Sequence, residues 1–140
     1  MSIREALLPE FDQEMASTRR ALERVADQTF DWRPHEKSFT MCELASHLAN
    51  VPAWTEATLK QDVFDMDSPE GRSFTTPQAE SNEDLLKKFD ANVVSAREAI
   101  ASTSDEDYQR MWTLRAGGNE MLQMPKIAVL RSFIMNHLIH

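Results

Sequence analysis

Cysteine is almost absent from this chain of 140 residues: Cys42 is the only one. No disulfide framework can therefore hold the fold, and a reducing compartment is the simplest reading. Glycine occupies three positions, too few for a turn-rich sheet protein and better suited to long helices. Basic residues number 15 against 23 acidic ones, for a net charge of −8. Lys and Arg are scattered along the chain, which argues against nucleic acid or an anionic membrane as partner, since both demand a basic face. No apolar run is long enough to cross a bilayer. Met1-Ser2-Ile3-Arg4-Glu5 lacks the charged-then-apolar order of a signal peptide. The chain reads as soluble and cytoplasmic. Metalloprotease, P-loop, Rossmann and nucleophile-elbow patterns are missing, which removes several enzyme classes.

What the sequence does hold is helix-forming text. Eight methionines and many alanines favour helix. Ser2 with Glu5 makes a capping box, and Leu8, Phe11, Met15, Thr18, Leu22 and Val25 then recur in steps of three and four. They predict helix A over 3–26, with Pro9 bending its first turns or delaying its start. A long connection follows over 27–39, with Trp32 and Phe39 as its expected anchors. Thr40 and Glu43 open helix B, which runs to about Lys60 with Pro52 as a kink. Its inward stripe reads Leu44, His47 or Leu48, Val51, Trp54 and Thr58. The acidic stretch 61–80, broken by Pro69, Gly71 and Pro77, predicts a mobile loop. Ser81 with Asp84 caps helix C, whose stripe is Leu85, Phe89, Val93, Ala96 and Ile100. Trp112 and the turn signal Gly117-Gly118-Asn119 lie in the next connection, the one place where strand is expected. Pro125 fits the first position of helix D, which carries Leu130, Phe133 or Ile134, and His137.

Four amphipathic helices with one stripe each predict an all-α four-helix bundle with long connections, as a single domain over residues 1–140. At 1.5 Å per residue helix A spans about 36 Å and helix D only about 22 Å. The last helix is thus expected to be truncated, with the native chain continuing past His140. A short helix D would leave Leu130 and Ile134 exposed and favour self-association.

His47 and His137 are the candidate site. Each is assigned to an inward-facing position, and burying an imidazole costs desolvation that a metal ion can offset. His140 lies three residues after His137 on roughly the same helix face. Three imidazoles with an open position would match a catalytic zinc-type site. The spacing alone equally allows core histidines hydrogen-bonded to hydroxyls or carbonyls. Trp54 shares the face of His47 and would line a pocket there together with Val51, or pack in the core. Cys42 reads as a small core residue, Glu43 as a cap and His35 as a solvated loop residue.

The order of these features resembles the DinB-like family of four-helix metalloproteins. The similarity lies in Leu22 through Trp32-Arg33-Pro34, in Ser38-Phe39-Thr40-Met41-Cys42-Glu43-Leu44-Ala45-Ser46-His47-Leu48-Ala49, and in Ile134-Met135-Asn136-His137-Leu138-Ile139-His140. The resemblance implies a divalent metal, nickel or zinc, held by one His of the second helix and two of the last. The first two ligands correspond to His47 and His137. The third falls one position past His140, which could replace it only if the helix rotated. Homodimers are common in that family, and some members resemble thiol-dependent S-transferases and isomerases, in which the metal activates a low-molecular-weight thiol toward an electrophile. A metal-dependent thiol transferase is the leading expectation. Its rival is a non-catalytic, dimerising or small-molecule-binding bundle with structural histidines.

Overall fold

The computed structural model describes residues 2–69, 71 and 77–139. Helix α1 spans Ile3–Glu23, with the Ser2–Glu5 capping box formed in both directions. Pro9 lies inside it without delaying its start. The helix stops three residues before the expected end, where Asn82 Nδ2 donates to the carbonyls of Leu22 and Val25 at 2.9 and 2.7 Å. Those bonds satisfy acceptors that a helix end otherwise leaves open.

Helix α2 spans Met41–Asn50, capped by Thr40 and Glu43. Pro52 then forces a 3₁₀ turn over Val51–Ala53 before helix α3, Trp54–Leu59. This is the expected kink, since proline cannot donate to the i−4 carbonyl. Asn92 Nδ2 donates to the Ala49 carbonyl at 2.9 Å beside the break. Helix α4, Asn82–Ser102, opens at Ser81, whose side chain accepts from the Asp84 N–H. Helices α1, α2 and α3 all pack on α4. Leu7, Phe11, Met15 and Leu22 of α1 share one buried cluster with Leu85, Phe89, Ala96 and Ile100 of α4. Bidentate Arg19–Asp90 and Arg97–Asp12 pairs flank that seam. They are largely exposed, so they set alignment more than stability.

The described residues are mostly helical, but a three-stranded sheet accompanies the helices, so an all-α description does not hold. Strands β2, Met111–Ala116, and β3, Asn119–Pro125, form an antiparallel hairpin in the connection where strand was expected. Gly117 and Gly118 both take positive φ at its turn, which a two-residue turn compatible with strand twist requires. Strand β1, Val63–Asp65, pairs parallel to β2, within the stretch read as a mobile loop. Helix α5, Asp105–Tyr108, precedes the hairpin.

Four further readings are corrected. Trp32 and Phe39 are exposed, and Phe30 is the buried anchor of their connection. Its carbonyl accepts from the Cys42 N–H at 2.9 Å. The buried face of α2 is Ala45, Ser46, Ala49 and Asn50, while Leu44 is exposed. Small alanines bring α2 close to α4, and the bulkier Leu44 and His47 are rotated outward. Pro125 ends β3 and caps the following helix, α6, Lys126–Ala128, and so stands before its first turn. The segment Val129–Met135 is wound as a π-helix and passes into α7, Asn136–Ile139. Leu130 and Ile134 are fully buried there, contrary to the exposure expected of a short last helix.

Candidate functional site

Helix α2 and the C-terminal helical segment bring together two histidines 90 positions apart. The Nε2 atoms of His47 and His137 lie 2.8 Å from each other. Neither points into the core, as the sequence reading had it. His47 is half-buried and His137 is exposed, and both border a surface cleft with Leu44, Leu48, Leu138 and Ile139. Their different exposure follows from the helices that carry them. The buried face of α2 is one residue off the His47 position, and the π turn shifts the face that α7 presents.

Trp54 completes the arrangement. Its ring centroid lies 5.6 Å from each imidazole, edge-on to both, and the imidazoles stand 4.9 Å apart at 64°. Edge-to-face packing of this kind orients rings. Neither imidazole Nδ1 has a hydrogen-bond partner among the described residues, so Trp54 contributes to the orientation that a carboxylate or carbonyl usually gives a ligating histidine. Partial burial, and then the neighbouring His137, push the His47 pKa below 6.5. The ring is therefore held neutral at pH 7, the form that binds metal.

The pair fits a divalent ion. The 2.8 Å separation is that of a hydrogen bond between the two Nε2 atoms, and it would also let both nitrogens reach one ion. Among the described residues no third His, Cys, Asp or Glu joins the pair. His140, the third candidate of the sequence, lies outside the described residues.

The other expectations separate clearly. Val51 is fully buried in the main core and lines neither the cleft nor the cavity described below. Cys42 is half-buried, with Sγ 3.3 Å from the Ala79 carbonyl oxygen. Glu43 belongs to the cap of α2, and the Thr40 backbone N–H lowers its pKa. His35 is exposed, its Nδ1 accepting from the Lys37 N–H at 3.1 Å.

One feature went unread. A cavity of about 270 Å³ lies behind Trp54, walled by Trp54, Phe64, Trp112, Val129 and Phe133, with Asn50 among its lining. Its wall depends on β1, a three-residue strand with no alternation long enough to detect. Asn50 ends α2 three residues after His47, and its amide on a face shared with small alanines was the available signal.

The family model of the DinB superfamily matches residues 10–140, and the chain belongs to that superfamily. No curated protein matches it.

Proposed function

We propose that this DinB-superfamily chain is a divalent-metal-dependent enzyme in which a low-molecular-weight thiol loses its proton and forms a carbon–sulfur bond with an electrophilic carbon, the proton passing to the group that the carbon releases. Nickel or zinc would be held by Nε2 of His47 and of His137, with His140 as the candidate third imidazole. A metal bound there supplies a Lewis acid that lowers the pKa of a coordinated thiol. The observation that carries the reading is the 2.8 Å approach of two Nε2 atoms from separate helices. A structural pair buried for packing would need no open cleft, whereas these rings border one.

The chain's own residues have definite parts in this reading. His47 stays neutral and available because burial disfavours its charged form. Trp54 keeps both rings in a fixed edge-on attitude. Leu44, Leu48 and Ile139 border the cleft and would limit water around an incoming thiol. Homodimerisation belongs to the proposal on the family resemblance alone.

Metal stoichiometry tests it. Protein stripped by chelation and titrated with Ni²⁺ or Zn²⁺ should take up one ion per chain. His47→Ala and His137→Ala should each weaken binding by more than about a hundredfold, beyond what loss of an outer-shell partner causes. Unchanged stoichiometry and affinity in His47→Ala would leave a non-catalytic bundle with a structural histidine pair as the better account.

A further inference from the structure

We propose that the cavity behind Trp54 binds a neutral aromatic molecule of one or two fused rings bearing one hydrogen-bonding group. As a binding site the claim is independent of the metal. As the place where the substrate's apolar part sits it rests on the metal reading, because Trp54 both walls the cavity and touches the two imidazoles.

Size comes first. A dry apolar cavity of about 150 Å³ accommodates benzene, so a volume of about 270 Å³ suits a naphthalene-sized skeleton. Packed interiors leave few voids larger than a water, so this space exceeds a packing defect. Its lining includes Phe64, Trp112 and Val129 of the small cluster and Ile134 of the main core, and sheet, α3 and π segment meet around it.

Chemistry comes second. No charged side chain lines the cavity among the described residues. An anion would lose hydration there without a cationic partner, on a chain whose net charge is already −8. The walls offer indole and phenyl faces from Trp54, Trp112 and Phe133, suited to stacked or edge-on ring contacts. Met66 and Phe133 line the cavity yet are about half exposed, at 50% and 43%. They form an apolar rim, and an unbranched methionine adapts its shape to what enters.

Polarity comes third. Asn50 is 9% exposed, and its side-chain amide has no hydrogen-bond partner among the described residues. Thr58 also lines the cavity, but its hydroxyl is already given to the Trp54 carbonyl at 2.9 Å. The indole N–H of Trp112 is buried and unpartnered among the described residues. A buried N–H such as that of Trp112 is costly to leave without a partner. The amide of Asn50 can donate and accept, so a ring hydroxyl or carbonyl matches it.

The test is calorimetric titration of the chelator-stripped full chain with 2-naphthol, naphthalene and naphthalene-2-sulfonate. One molecule of 2-naphthol should bind per chain, more tightly than either of the others. Ala57, a small lining residue, sets the filling variants: Ala57→Leu should weaken 2-naphthol by at least about tenfold, because occupied space is no longer available. If Ala57→Leu does not fold, Ala57→Val takes its place with a smaller loss in the same direction. Asn50→Ala should weaken 2-naphthol by about tenfold, roughly one hydrogen bond, and leave naphthalene unchanged. Saturable binding that persists undiminished in the filling variants overturns the proposal, as does no saturable binding up to the solubility limit. Tighter binding of the sulfonate also overturns it. His47→Ala separates the two readings: 2-naphthol binding should survive in it whether or not metal binding does.

Discussion

Lys126, buried at the first position of α6, donates from Nζ to the Leu59 carbonyl at 3.1 Å. Leu59 ends the helix that begins with Trp54, and Lys126 begins the segment that ends beyond His137. One side chain thus ties together the bases of two elements that meet at the candidate site. Asp62 supplies the countercharge, 2.9 Å from the same Nζ and 2.6 Å from Arg110.

That arrangement predicts unequal mutational costs. Asp62→Ala leaves a buried ammonium with a carbonyl only and should lower stability by about 1 kcal/mol, the modest figure reflecting the half-exposed carboxylate. Lys126→Met removes the charge with its desolvation cost and should be milder. Hydrogen bonding to Lys126 holds the Asp62 pKa below 3.8. Its contribution is therefore present above that value and lost as pH falls through the lower folded one. Urea unfolding of both variants at pH 7 and pH 3 checks the order and the acid loss.

A second pH dependence has the opposite chemical origin. His47 carries a folded pKa below its ordinary 6.5, so below that pH the unfolded chain binds the proton more readily. Metal-free protein should hold its full stability above about pH 6.5 and lose some as pH falls toward the folded value. His47→Asn should flatten that part of the profile. Thermal melts between pH 5 and 8 with a chelator present would show it. An equal slope in the variant would assign the effect elsewhere.

Tyr108 marks the alkaline side. It is fully buried and donates to the Ile100 carbonyl at 2.6 Å, and burial pushes its pKa up to about 12. A raised phenol pKa gives stability that is intact below its ordinary value of 10.0 and lost as pH rises toward the folded one. Tyr108→Phe should cost about 1 kcal/mol at pH 7 through the lost hydrogen bond, since the Ile100 carbonyl keeps the long 3.4 Å bond from the Thr103 N–H. It should also reduce the loss of stability above pH 10, as followed by helicity against urea.

The cap of α2 offers a local test. Thr40 Oγ1 accepts from the Glu43 N–H at 3.0 Å, at the start of the helix that presents His47. Thr40→Ala should lower stability by about 1 kcal/mol, and Thr40→Ser should restore most of it. Denaturant midpoints with unchanged slopes would confirm a purely local effect.

Caps and stripes made α1 and α4 legible because both helices bury a regular face over their full length. The Pro52 break was legible for the same local reason. The partnership of His47 with His137 was readable only as a possibility, since spacing says nothing of contact. The orientation of α2 was missed because periodicity favours the larger apolar residues, whereas close packing on α4 selected Ala45 and Ala49. Strand β1 draws its pairing from residues 50 positions away, which no local pattern encodes. Helix D left Phe133 and Ile134 as alternatives because an α period was applied to backbone that winds otherwise. Ile134 is buried and Phe133 turns out toward the cavity rim.

The winding of Val129–Met135 also lets the candidate site tolerate a shorter chain in a way that point substitutions do not reveal. Hydrogen bonds in a π turn skip one more residue than in an α turn. A single codon deleted there would let the segment relax into ordinary helix without breaking the ladder. Each residue advances an α-helix by about 100°, and the wider π turns spend one extra residue on nearly the same total rotation, so the shortened helix would stay folded and packed with His137 still facing His47. Loss of one residue in this segment should thus leave the histidines together, whereas rewinding all seven residues as ordinary helix would turn His137 by about 100° away from His47.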